Sequence, residues 1–444
     1  MQPFPRPGVD SLWAATAAPM AGFGPLDRDT SADVAVIGAG YTGLSAALRL
    51  AAAGERPVVI DANAVGWGAS GRNGGVVSAK FRVSYRDMAT AHGRDVARSM
   101  HRLADEAVDL VEELLEAHGI EAGYSRVGQL KCAHNPHTLA AAAADMEWMQ
   151  REMGDGSASV LSRDAIRAET GSEDFVGGIL STKGGGIQPL DYVRGLARAA
   201  AGSGIAIHGE TPALRLGHDR SGILVETPGG VIRARQAIIA TNAYSDLTPA
   251  TVRLRSRLIP FRSAMVATER LTGNLLASIV PGRRICAETR RMMRWFRVTD
   301  DRLIFGGRGA FGKTDSEVAF TALRAAMVRV FPSLAATPIA YRWSGLVGMT
   351  LDALPHVGRL DDRVSFAVGY NGAGVAMSTL LGRYAANFAR GRHRTWRCSV
   401  RITFVRCRST RCASPPCVSS RAGINSSTPS DADSIDRRDG EARR

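Results

Sequence analysis

Apolar and polar positions change period several times along this chain, and each change predicts an element. Residues 34–37 form a continuous apolar run, as a strand covered on both faces requires. An Ala/Leu-rich stretch from about Thr42 to Gly54 predicts a helix, and residues 57–60 predict a second buried strand closing on Asp61. Val96, Met100, Leu103, Ala107, Leu110 and Leu114 recur at helical spacing and predict one long helix over 86–119. Residues 137–153 predict an Ala-rich helix ended by Gly154, and Pro189 starts another that runs to Ala201. Short β segments are predicted at 205–208, 213–216, 222–226 and 231–233, then a buried strand at 236–240. The stretches LIPFRSAMVAT, RRMMRWFRV and DRLIFGG, all within 258–307, predict three strands of a sheet. A helix from Ser316 to Phe331, the segments YRWSGLVGM and VSFAVGYNGAG, and a last helix to Arg390 complete the pattern.

The first strand and helix are joined by Gly38, Gly40 and Gly43, a G-x-G-x-x-G. Gly38 allows the tight turn, Gly40 lets a pyrophosphate approach the backbone, and Gly43 lets helix and strand pack closely. The helix start offers N–H groups and a positive dipole end to phosphate. Asp61, 18 residues after Gly43, stands where a carboxylate accepts hydrogen bonds from ribose hydroxyls. Strand, helix, strand and acid in this order predict a dinucleotide-binding βαβ unit. A second loop, residues 66–75, holds five glycines in ten positions together with Trp67, Arg72 and Asn73. A nicotinamide unit needs no such loop, so it predicts backbone passing close to a bulkier ligand. A flexible surface loop is the competing reading.

Composition narrows the class. With 45% hydrophobic and 22% charged residues, the 444-residue chain is that of a globular protein with two or three domains. No apolar stretch reaches the roughly 18–20 residues a membrane span needs. The start lacks a charged and then apolar signal, so a cytoplasmic location is expected. The net charge of +14 is uneven: residues 391–444 carry twelve Arg against five Asp or Glu. The body is therefore only diffusely basic, which argues against nucleic-acid binding. That tail also holds four of the six cysteines, nine Ser, and no Leu, Lys or Met. Residues 392–444 are expected to be an atypical, disordered tail. A zinc site at Cys407, Cys412 and Cys417 is its alternative. Cys132 and Cys286 alone suit a reducing compartment. His134 and His137 flank a proline and are expected at the surface, so no metal site is expected.

The chain resembles the FAD-dependent amino-acid and amine oxidases related to D-amino-acid oxidase, glycine oxidase and sarcosine oxidase, and within them the γ-glutamylputrescine oxidoreductase branch. The resemblance spans roughly residues 10–391. It rests on VIGAGYTGLSAAL, GWGASGRNGG, GGGIQPLDYVRGLARAA, AIIATNAYS and FAVGYNGAGVAMSTLLGR. It implies an α/β fold: a discontinuous Rossmann-like FAD-binding domain (31–85, 187–255 and 341–391) and an inserted α+β substrate domain with a mostly antiparallel sheet (86–186 and 256–340). It implies FAD contacts from Gly38, Ala39, Gly40, Tyr41, Thr42 and Gly43, and from Asp61 and Ala62. Gly68, Ala69, Ser70, Arg72, Asn73, Gly74 and Gly75 of the second loop follow. Pro212 and Ala213 fall at the adenine end, with Thr241, Asn242, Gly345, Gly369, Tyr370, Asn371, Gly372, Gly374 and Val375 completing the set.

The chemistry that follows is oxidation of a C–N bond to an imine. A reduced flavin is anionic at its pyrimidine end, and the backbone N–H groups and helix dipole at Gly369–Gly374 answer that charge. The amine must arrive uncharged, which a partly apolar pocket promotes. Arg308 is the first candidate for a substrate carboxylate, against a solvated loop arginine, and Tyr370 and Trp343 are candidate pocket walls. No Cys lies between 287 and 397 and no His in the first glycine loops, so the FAD is expected to be noncovalent. Oxygen, giving hydrogen peroxide, and an electron carrier remain alternative acceptors. A distant alternative is a phosphate loop at Gly307–Thr314, which matches G-x-x-x-x-G-K-T.

Overall fold

The computed structural model describes residues 8–311 and 317–392, without the side chains of 308–311. Among these residues a first sheet is ordered His356–Arg359, Val364–Val368, Gly230–Ile239, Thr30–Ile37, Pro57–Ile60, Ala206–His208. All neighbours are parallel except the His356–Arg359 edge. An antiparallel pair, Arg215–His218 and Ile223–Thr227, hangs on the first half of Gly230–Ile239. The register sets Ile37 beside Ile60 and Ile239, so the carboxyl ends of the parallel strands share one edge. Burial on both faces explains the unbroken apolar runs. Val34 and Val36 pack with Leu44 and Leu48 of the Tyr41–Ala51 helix, while Ala35 and Ile37 pack with Ala213, Ile223 and Leu254 on the opposite face.

A second sheet is ordered Ile339–Met349, Ile259–Thr268, Arg302–Phe311, Arg294–Thr299, Ile285–Glu288, Gln129–Ala133, Gly177–Ser181, Ala158–Leu161. It is antiparallel save for Ile285–Glu288 against Gln129–Ala133. One face is closed by the Glu317–Val330 helix over Val266, Phe296 and Phe305. The Phe296 and Phe305 rings are stacked at 5.7 Å. Each such fully buried side chain contributes about 1.5–3 kcal/mol. The other face gives Met265, Ile304 and Trp343 to the core shared with the first sheet. A short ribbon, Val76–Val77 against Gly185–Gly186, runs beneath that face.

The α/β expectation holds, with a parallel sheet beside a mostly antiparallel one. Four local readings change. The helix over 86–119 is two helices, Tyr85–His92 and Arg94–Ala117, parted at Gly93, whose φ of 91° is outside the helical range. The segments 231–233 and 236–240 are one strand, Gly230–Ile239, because both halves pair with the continuous strand Thr30–Ile37. The strands Gln129–Ala133, Ala158–Leu161 and Ile285–Glu288 and the helices Arg163–Thr170 and Gly273–Ser278 were not anticipated. Residues Gly307–Phe311 lie in a strand, with Gly307 opposite Ala264 and Arg294, so they form no phosphate loop. Gly312–Thr314, the segment from residue 393 and its cysteines lie outside the described residues.

Candidate cofactor and substrate site

The site begins where the Thr30–Ile37 strand ends. Gly38 turns with φ 112°, and a Cβ there would stand 3.0 Å from the Ala240 carbonyl oxygen. A Cβ on Gly43 would fall on the Gly38 carbonyl oxygen. The Ala39 amide donates to Asp61 Oδ2 at 2.8 Å, and the Asn63 amide to Oδ1 at 3.0 Å. Burial pushes the Asp61 carboxyl up to about 6, although both amides pull it down. Its side is nonetheless partly open to solvent, so it lines a recess. The Thr211 amide donates to the Asp61 carbonyl at 2.6 Å, which brings Pro212 and Ala213 beside Asp61 and Ala62.

The second glycine loop is stitched to the first. Ser70 Oγ accepts from the Tyr41 amide at 3.1 Å, and the Tyr41 hydroxyl reaches the carbonyls of Ser70 (2.7 Å) and Pro189 (2.9 Å). Asn73 donates to the Ala69 and Ser70 carbonyls and accepts from the Gly75 amide at 2.8 Å. The Arg72 guanidinium lies 4.1 Å over the Trp67 ring, and its Nε donates to the Trp67 carbonyl at 2.6 Å. Two indoles hold the loop's carbonyls: Trp343 Nε1 donates to Arg72 at 3.0 Å and Trp13 Nε1 to Asn73 at 2.7 Å. Trp343 is 1% exposed and packs edge-on against Trp13, so it is a loop anchor and not a pocket wall. Gly68 faces Tyr244, and Gly345 lies against the Arg72 stem.

Gly74 and Gly75 meet the second sheet. A Cβ on Gly74 would enter the Trp295 ring, and Gly75 has φ 64°. Arg297 Nη1 donates to the carbonyls of Gly75 (2.5 Å) and Ile187 (3.2 Å). Arg297 is 5% exposed with no carboxylate partner among the described residues, and burial pushes its guanidinium down to about 10. Sequence reasoning missed this residue. An arginine set between Phe296 and Val298, on the strand face opposite both, was the available signal.

The third piece follows Val364–Val368. Gly369, Asn371 and Gly372 all have positive φ (79°, 53° and 96°). The Gly369 amide donates to Asn242 Oδ1 at 2.9 Å, and Asn371 Oδ1 accepts from the Thr350 amide at 2.9 Å. Asn242 has φ 41°, and its neighbour Thr241 is within 2.7 Å of the Ser245 hydroxyl. The Gly374–Ala389 helix starts here, with Val375 buried, and packs along Tyr41–Ala51. Both helices thus open on the same edge of the sheet. The Tyr370 hydroxyl donates to the Ala367 carbonyl at 2.9 Å and lies 2.6 Å from that of Thr42. It is 7% exposed, and its hydroxyl bridges the two helix starts.

Arg308 sits in a strand opposite Ser263, and its side chain lies outside the described residues. His134 Nδ1 is 2.8 Å from the Thr289 hydroxyl, and no metal-holding cluster of His, Cys, Asp or Glu occurs among the described residues. No helix among them is long and apolar enough to cross a membrane.

The cradle suits FAD on its own geometry. Amides in the first turn of a helix have no partner within it. Ser70 takes that of Tyr41, and those of Thr42 and Gly43 adjoin the bare Gly38–Gly40 backbone and the recessed Asp61.

Comparison with known proteins agrees. Residues 33–388 match the family model DAO, FAD dependent oxidoreductase. The chain is 33% identical over 386 residues to the Gamma-glutamylputrescine oxidoreductase of Escherichia coli (strain K12), covering 86% of this chain and 89% of that one. It is 25% identical over 367 residues to the Glycine oxidase of Geobacillus kaustophilus, covering 80% and 92%. The crystal structure of glycine oxidase from Geobacillus kaustophilus shares the fold, with a TM-score of 0.67 at 22% identity over 82% of this chain and 96% of that one. The chain belongs to the DAO family of FAD-dependent oxidoreductases.

Proposed function

We propose that this protein oxidises a C–N bond of an amine or amino acid to an imine, with γ-glutamylputrescine as the first substrate to test and oxygen as the acceptor, giving hydrogen peroxide. The observation that carries this reading is the 33% identity to a Gamma-glutamylputrescine oxidoreductase over nearly the whole length of both chains. When bound, FAD supplies the hydride acceptor. The chain's own residues hold and orient it. Gly38 to Gly43 and the Tyr41–Ala51 helix start take the pyrophosphate, Asp61 the ribose, and Pro212 and Ala213 the adenine side. Gly68 to Gly75 pass beneath the flavin-bearing recess, and the Gly369–Gly374 turn offers amides and a helix dipole to the charge of the reduced ring. The anchoring by Trp13, Trp343 and Arg297 keeps that loop in place without lending it a reacting group. We further propose that the FAD is bound noncovalently and that Arg308 borders the substrate space.

Peroxide release from purified protein across a panel of amines and amino acids tests the reading. Peroxide and aldehyde from γ-glutamylputrescine support it. Turnover with a redox dye and none with oxygen moves the assignment to a dehydrogenase that uses a carrier. Retention of flavin by acid-precipitated protein overturns noncovalent binding.

A further inference from the structure

Among 56 basic residues this chain has four lysines: Lys80, Lys131, Lys183 and Lys313. A chain that writes nearly every cation as arginine makes its lysines worth locating. Lys313 lies outside the described residues. Lys183 is neutralised by Asp105 at 2.8 Å and Asp155 at 3.0 Å. Lys80 and Lys131 have no acceptor among the described residues, although both are exposed.

Their position is specific. The Val76–Val77 ribbon passes under the second sheet, where Gln129 Nε2 donates to the Val77 carbonyl at 2.9 Å. Lys80 follows Val77 by three residues. Lys131 follows Gln129 by two on the same face, since Leu130 and Cys132 point into the opposite core. Lys131 is in register with Ala287, Ala287 with Trp295, and Trp295 with Gly306. Two strand spacings, about 10 Å, therefore separate Lys131 from the residue that covers Gly74. Lys80 is open to solvent at its own surface, yet the surrounding protein desolvates its ammonium group and Lys131 repels it, and both lower its pKa. Two ammonium groups held on the ribbon and on the sheet face above it repel each other until an anion lies between them.

We propose that Lys80, backed by Lys131, is the anion subsite of the substrate recess and receives a carboxylate carried by the amine substrate at the end remote from the oxidised C–N bond. This rests on the proposed amine oxidation and makes the substrate zwitterionic, one end for the flavin and one for the lysines. It also makes Lys80 a specificity residue that touches substrate away from the reacting atoms.

The test compares γ-glutamylputrescine with N-acetylputrescine, which keeps the amine and lacks the carboxylate, on the holoenzyme and its K80Q, K131Q and R308Q variants. A charge-assisted contact predicts a preference of about 10–100-fold in kcat/KM for the carboxylate-bearing substrate. In K80Q that ratio collapses towards one, with the change in KM and not in kcat. K131Q lowers it less. A second readout needs no turnover: titration with glutarate, followed by perturbation of the flavin band, weakens about tenfold or more in K80Q at unchanged flavin content. If no amine is oxidised by the parent protein, the functional reading fails and the glutarate titration alone judges the lysines. Equal glutarate binding by the parent and K80Q overturns the proposal. So does a preference that survives K80Q and disappears in R308Q.

Discussion

The hydroxyls of Thr42 and Tyr370 lie 2.6 Å apart, 328 residues distant in sequence, and tie the starts of two helices that open on one cofactor edge. The Tyr370 proton goes to the Ala367 carbonyl, so Thr42 is the donor in this contact. In Tyr370→Phe both partners lose a buried hydrogen bond. The expected cost is about 1–3 kcal/mol, read as a lower melting temperature. The rate with substrate should change less than about threefold, well under the roughly 10²-fold or greater loss of a general acid–base group. A hundredfold loss of kcat at unchanged stability would return Tyr370 to the chemistry.

Gly43 leaves no room for a methyl group against the Gly38 carbonyl. Gly43→Ala must push the helix away from the strand and with it the amides that face the pyrophosphate. The ratio of flavin to protein absorbance after purification should fall at least about tenfold, the equivalent of 1.4 kcal/mol. Gly54→Ala, where a Cβ meets nothing within 4 Å, is the control for a glycine outside the cradle, its φ of 81° costing stability only. Normal flavin content in Gly43→Ala contradicts the geometry.

With Asp61 at the ribose, as proposed, FAD affinity is expected to depend on pH. Its carboxyl in the free protein is raised to about 6 by burial. Because the folded state holds that proton more tightly than the unfolded chain, Asp61 favours the folded apoprotein fully below about pH 4. That contribution is lost as pH rises through 6. Ribose hydroxyls donate to the carboxylate, so FAD binding has the opposite slope: strongest above 6 and weakening by up to about tenfold per unit below it. Fluorescence titration of apoprotein between pH 5 and 8 (about one unit below and two above the midpoint) measures it. Asp61→Asn should bind more weakly and flatten the dependence. An equal slope in both proteins removes Asp61 from the ribose site.

Arg297 is a buried cation whose partners are carbonyls. Arg297→Met keeps the bulk and removes the donor, leaving the Ile187 carbonyl unsatisfied while the Gly75 carbonyl keeps its bond from the Ile187 amide. Such a group costs about 1–3 kcal/mol, offset by the charge no longer being buried. Net stability should move little while the second glycine loop loosens, so flavin should dissociate faster on dilution. Unchanged flavin release would show that the loop is held without Arg297.

The cofactor half of the molecule was legible because its signals are local. Gly38, Gly40, Gly43 and Asp61 act through spacing along one βαβ unit, and the Pro57–Ile60 strand was read to the residue. The Pro136–Met153 helix was likewise read to within one residue, since a proline start and a left-handed Gly154 are both sequence marks. Gly93 was missed because apolar spacing continues across it, and only its φ reveals the break. Ile285–Glu288 was missed because four residues carry too little alternation to stand out. The contact of the Tyr370 hydroxyl with Thr42 was not read, since a motif says where a ring is and not which way it turns. Trp13 and Arg297 act across 60 and 222 residues, a range at which local pattern is silent. Lys80 had a signal of another kind, the scarcity of lysine in an arginine-rich chain.

The most direct measurement is anaerobic mixing of the purified protein with γ-glutamylputrescine while the visible absorbance is recorded. Yellow protein whose flavin band bleaches with the amine and returns when air is admitted, with peroxide formed, is the result this account predicts. Colourless protein that takes up no added FAD, or a flavin band that no amine or amino acid bleaches, would contradict it.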